Sequence, residues 1–133
     1  MEYTITWGGE VEDVSVRTSG PASLEGLTDF LVKGIADRRW RPRMRVLVDH
    51  RELDWTPLGV TDLRARVDGV TSRKEQLGLP HIAVVLGRTV DYGLQRMMQG
   101  FSDDWAGVLE LSLFFSVEDA RAWLGQFPAP QPV

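Results

Sequence analysis

Asp49-His50-Arg51-Glu52 is the densest polar run in the chain, and it sets a histidine among acids. An imidazole beside a carboxylate can serve as a general base, taking up a proton while the acid orients the ring. A small enzyme using His50 with Asp49 or Glu52 is therefore one reading of this segment. It has little to work with. The chain contains no cysteine, which removes thiol nucleophiles, thiolate metal sites and disulfides, and fits a reducing compartment. His81 is the only other histidine, and it falls at the opposite end of its strand, so two distant histidines make no metal site. The plainer reading is a solvated strand-to-helix loop in which Asp49 accepts from loop amides. No catalytic residue, metal or cofactor is expected.

Other clusters suggest binding. Five arginines surround Trp40 between Arg38 and Arg45, a composition that can hold phosphates and stack a base. The net charge of −4 opposes that use, and cations at a helix end complement its dipole without any ligand. Nucleic acid is not expected as a partner. Gly87-Arg88-Thr89 precedes a helical pattern, where free amides and one arginine suit an anion. Neither glycine-rich phosphate fingerprint is present. Met97, Met98, Phe101 and Trp105 share one helical stripe, which suits a core, an apolar pocket or a homodimer interface. Trp55 lies between Asp54 and Thr56, outside any apolar stripe, where an indole suits contact with a ligand.

The elements that must position these residues follow from periodicity. Tyr3, Ile5 and Trp7 alternate with threonines, and Val14 and Val16 alternate with polar neighbours, which predicts an opening hairpin. Leu24, Leu27, Leu31 and Ile35 recur at helical spacing behind a Ser23 cap, predicting a helix near 23–38. Arg45-Val-Leu-Val-Asp49 and Ile82–Leu86 read as strands buried on both faces, with loops 50–57 and 87–92 at their carboxyl ends. Thr56-Pro57 opens a helix predicted over 57–77, a third is predicted over 90–104, and residues 108–115 form a last strand. Ser116-Val-Glu-Asp119 resembles a capping box and starts a helix over 117–126. The expected fold is α/β, with a mixed, mostly parallel sheet of about five strands and four helices in the order ββαβαβαβα.

The length of 133 residues suits one domain, expected over 1–127, with a short proline-rich tail at 128–133. Met1–Trp7 carries neither a basic start nor an apolar run, so no signal peptide is expected. The longest apolar runs are too short to span a bilayer, and a cytoplasmic location is expected.

Three segments carry a family resemblance: Arg43–Asp49 with Leu53 after it, His81–Leu86, and Phe114-Phe-Ser-Val-Glu-Asp-Ala-Arg-Ala-Trp-Leu124. Together with the element order they resemble the STAS domain, the fold of anti-sigma-factor antagonists, and within it the SpoIIAA-like group. The resemblance spans nearly the whole chain, and the last segment is its most specific part. It implies a regulatory or binding module. For the group it also implies apolar ligands or membrane surfaces as candidates, most of its members having no assigned function. Antagonists of the superfamily carry a phosphorylatable serine at the turn after the middle strand. Here that turn reads Asp54-Trp-Thr-Pro-Leu-Gly59, with Thr56 and Thr61 as the nearby hydroxyls and no serine.

The reading is a non-enzymatic STAS-like module that binds a partner protein or a small apolar or anionic ligand. Its candidate binding residues are His50, Arg51, Trp55, Thr56, Arg88, Thr89 and Tyr92, grouped because the carboxyl ends of parallel strands share one sheet edge. The absent serine yields a first prediction. Intact-mass measurement of protein purified from its native cells should show Thr56 and Thr61 unphosphorylated. Stoichiometric phosphate on either would establish a switch.

Overall fold

Successive side chains of a strand alternate between faces, so a sheet covered on both sides needs apolar residues at every position of its central strands. The computed structural model describes residues 1–87, 100 and 103–131, and its central strands meet that requirement. Strand β1 (Glu2–Trp7) pairs antiparallel with β2 (Val14–Pro21), with Ile5 opposite Val16. Strand β3 (Arg45–Asp54) pairs parallel with β2 and with β4 (His81–Leu86), and β4 pairs parallel with β5 (Glu110–Phe114). The order across the sheet is β1-β2-β3-β4-β5, a mixed and mostly parallel arrangement.

Helix α1 (Leu24–Ala36) starts at Ser23, whose hydroxyl accepts from the Gly26 amide at 3.0 Å. Helix α2 (Val60–Thr71) is followed by a short α3 (Lys74–Leu77). Right-handed crossovers between neighbouring parallel strands set α1 and α2 on one face of the sheet. Helix α4 (Val117–Leu124) starts at Ser116, whose hydroxyl accepts from the Asp119 amide, and buries Ala120 and Leu124 on the other face against Leu47, Ala83 and Val85. Among the described residues, no helix is long and apolar enough to cross a membrane.

Several boundaries differ from the sequence reading. The strand expected over 45–49 continues to Asp54, so His50, Arg51 and Glu52 are strand residues and not loop residues. The cause is β2, which goes on pairing with β3 past a bulge, Ser19 with Glu52 and Pro21 with Asp54. The helix expected from Pro57 begins at Val60, because residues 55–58 close a turn (Leu58 N–H to the Trp55 carbonyl, 3.0 Å). It also breaks between Thr71 and Lys74. The final strand is shorter than 108–115. The helix expected over 90–104 lies mostly outside the described residues.

Gly78 ends α3 in the left-handed conformation (φ 71°), and a Cβ there would lie 2.9 Å from Pro42 Cα. Its carbonyl accepts from the Arg43 amide, which ties α3 to the entry of β3. Gly78→Ala therefore meets both an unfavourable dihedral and a backbone clash. Chemical denaturation should show a loss of about 2 kcal/mol or more.

Candidate functional site

Between the sheet and helices α1 and α2 lies a cavity of about 130 Å³. Its floor is Val46, Val48 and Val84, and Phe30 of α1 and Leu63 of α2 lie across from them. Among the described lining residues, His50 from β3, Trp55 from the turn after it and Arg66 from α2 bring polar groups to this apolar space.

His50 shares the face of Val46 and Val48, four and two residues before it. The bulge sets residues 50 and 51 of β3 against Thr18, between the Arg17–Asp49 and Ser19–Glu52 pairs. A bulge offsets the alternation, so both His50 and Leu53 are buried on the α1 side. The His50 ring is held by Thr18, whose Oγ1 lies 2.6 Å from Nδ1 and 3.3 Å from the Asp49 carbonyl oxygen. The Trp55 ring meets it edge-on at 5.2 Å, and Phe30 lies 6.2 Å away. Burial pushes the imidazole pKa down to about 3, and the charge of Arg66 pushes the same way against Asp49. The ring is neutral at neutral pH.

Arg66 lies on the buried stripe of α2, three residues after Leu63 and four before Val70. One guanidinium N–H donates to the Leu27 carbonyl at 2.8 Å, and the group lies 5.2 Å from the Phe30 ring centre. Burial, then the charge of Arg73, pushes its pKa down to about 10, so it remains a cation at neutral pH. Among the described residues no carboxylate pairs with it. The Trp55 Nε1–H is buried and has no acceptor among the described residues. The indoles of Trp40 and Trp105, also on the cavity wall, are satisfied by the carbonyls of Gln76 and Leu77 and of Val67.

The expected cluster thus divides. His50 and Trp55 come together, but inside the cavity. Trp55 packs among core residues where an exposed contact residue was expected, since the turn at 55–58 folds it back over β3. Arg51 stays at the surface, closing a two-bond pair with Asp49 at 2.8 and 2.9 Å. Burial raises the Asp49 pKa, but the bonds from Arg51 outweigh it and hold the carboxyl below its ordinary value. Glu52 pairs with Arg17 at 3.1 Å. Neither acid reaches the His50 ring, so the geometry does not form the acid-assisted base that the enzyme reading needs. Thr56 donates to the Asp54 carboxylate in an exposed turn. Arg88, Thr89 and Tyr92 lie outside the described residues. The arginine run also disperses: Arg39 pairs with Asp37, Arg45 with Asp13, and Trp40 turns inward. Trp105, on a stripe that suited a core, an apolar pocket or a homodimer interface, is buried against α2 as a core residue.

Two residues of this site escaped the sequence reading, and each had a signal. Arg66 is a charge within the apolar stripe of Leu63, Val67 and Val70. Thr18 continues the inward alternation of Val14 and Val16, and it is 1 % exposed.

The neutral, buried His50 sets a pH dependence. Its ordinary pKa of 6.5 applies in the unfolded chain, which takes up a proton that the folded chain refuses until about pH 3. The associated stability is therefore complete above pH 6.5 and declines as pH falls from there, by at most about 1.4 kcal/mol per unit. Denaturation of native protein and of His50→Phe between pH 7 and 4 should show a shallower decline in the variant.

No family model matches the chain, and no curated protein matches it. A solved structure does, at 19% identity and a TM-score of 0.58, over 92% of this chain and 93% of the other. It is an uncharacterised protein of the DUF3478 family with a SpoIIAA-like fold from Shewanella loihica. The structural likeness over nearly the full length of both chains shows that this chain has a SpoIIAA-like, STAS-type fold.

Proposed function

We propose that the chain is a non-enzymatic binding module that takes a small, largely apolar ligand into the cavity between the sheet and helices α1 and α2. The cavity itself carries this reading. Protein interiors are packed to the density of organic crystals, with few voids larger than a water molecule. About 130 Å³ of space lined by aliphatic and aromatic side chains, and open in part to solvent, gives a ligand both an apolar wall and a way in. Apolar cavities of roughly this size stay dry and accept a molecule such as benzene. The enzyme reading lacks its central pair, since Asp49 and Glu52 are each committed to an arginine.

Benzene is a sufficient probe. At ten times its dissociation constant it should add about 1.4 kcal/mol of stability, with methyl NMR shifts confined to residues such as Val46, Val48 and Val84. Val48→Phe, which fills the space from the floor, should remove the effect, and the milder Val48→Leu should reduce it. Methyl signals that do not respond to benzene in native protein would refute the reading.

A further inference from the structure

We infer that the ligand of this cavity is an amphiphilic monocarboxylate, its acid group held by Arg66 and Trp55 Nε1–H beside His50 and its apolar body of about six to eight carbons in the valine-floored space. The inference rests on the cavity reading above and adds the head group.

The argument starts from charge. A guanidinium has five N–H donors in a rigid fork that matches a carboxylate. Arg66 uses one of its terminal nitrogens on a carbonyl, that of Leu27, and one face on the Phe30 ring. Both are modest compensation for a cation half-buried against apolar side chains, where its remaining donors have no acid to meet among the described residues. The other cations near the sheet differ. Arg45 meets Asp13, Arg51 meets Asp49, and Arg121 meets Glu12, each at about hydrogen-bond distance. Each of those three meets an acid, whereas Arg73, on the same side of the sheet as the cavity helices, donates like Arg66 to a backbone carbonyl. Arg66 meets no carboxylate among the described residues.

The second observation is independent of charge. The buried Trp55 Nε1–H lacks an acceptor, whereas the other two indoles of the cavity wall have theirs. Buried donors are nearly always satisfied, and an orphan calls for an unplaced partner. The partner must be an acceptor, and it must lie beside His50, whose ring is 5.2 Å from the indole. The imidazole can join it. The single hydroxyl proton of Thr18 goes either to the Asp49 carbonyl or to His50 Nδ1. In the second arrangement Nε2 carries the ring proton and becomes a donor. Two donors, one of them cationic, joined by the imidazole in that second arrangement and with no acid beside them among the described residues, select an anion with at least two acceptor oxygens. The volume and the apolar walls limit the remainder to one ring or a short chain. A phosphate or sulfate ester head would bring a larger, more strongly hydrated group into an enclosure whose other walls are hydrocarbon and indole.

The test pairs each acid with its uncharged counterpart: octanoate with 1-octanol, and phenylacetate with 2-phenylethanol. Each is titrated at pH 7 into the full chain by calorimetry and by methyl NMR. Native protein should prefer the acids. Arg66→Met should weaken the acids about tenfold to a hundredfold, the worth of a charge-assisted hydrogen bond, and leave the alcohols within about threefold. The retained alcohol affinity then certifies an intact cavity. Arg66→Lys should keep part of the acid preference, and Trp55→Phe should weaken acids several-fold more than alcohols. If alcohols bind as tightly as acids, or if Arg66→Met spares the acids, the head-group inference is overturned while the cavity reading stands. If neither acids nor alcohols bind native protein, both fall.

Discussion

Strand β3 has to satisfy its backbone on two edges at once, against β2 and against β4, while burying one face under α1 and α2 and the other under α4. A strictly regular strand would meet these demands as far as Asp49 and then place Leu53 on the wrong face. The bulge at His50 and Arg51 resolves the conflict. It keeps β2 in register up to Pro21, turns Leu53 inward, and leaves His50 inward as well. The Thr18 hydroxyl gives the buried imidazole its partner at that point. Removing the bulge would expose His50 or Leu53, and the polar end of the cavity would no longer exist.

The two ends of the sheet are built differently. At the start of β3, Arg45 and Asp13 form a two-bond pair, Arg121 grips the buried Glu12, and His81 stacks on Phe127 at 3.9 Å while meeting Glu110. These contacts tie the hairpin loop and the end of α4 to the sheet, and each charge has a partner. Two-bond arginine–carboxylate pairs are among the stronger polar contacts in proteins. Toward the other end, a neutral histidine, a cationic arginine and an indole N–H border the apolar cavity. Among the described residues, the charges that hold elements together are paired, and Arg66 beside the cavity has no carboxylate partner.

The neutrality of His50 and the charge of Arg66 belong together. Burial alone disfavours the imidazolium, and a cation nearby disfavours it further. Among the described residues that line it, the cavity therefore keeps the one positive charge of Arg66 over the whole neutral range. The carboxylate proposed above would be attracted to it without any titration near pH 7.

Periodicity was enough to give the α/β class, the opening hairpin, the parallel core and the caps at Ser23 and Ser116, because these depend on local spacing and on near neighbours. Composition was enough to remove thiol chemistry. His50 and Trp55 were legible as candidates, since a polar run at the carboxyl end of a buried strand is a frequent place for ligands. Their surroundings were not. Whether Asp49 serves His50 or Arg51 depends on which face each residue takes, and in a strand that is decided by a bulge set through pairing with β2, some thirty residues away in sequence. The burial of Arg66 depends on how α2 packs over α1, and the cavity on side chains from several elements failing to meet. Local pattern thus determined the elements of this protein, while long-range register and packing decided which polar groups face the cavity, because no residue's neighbours in sequence specify the volume left between the layers.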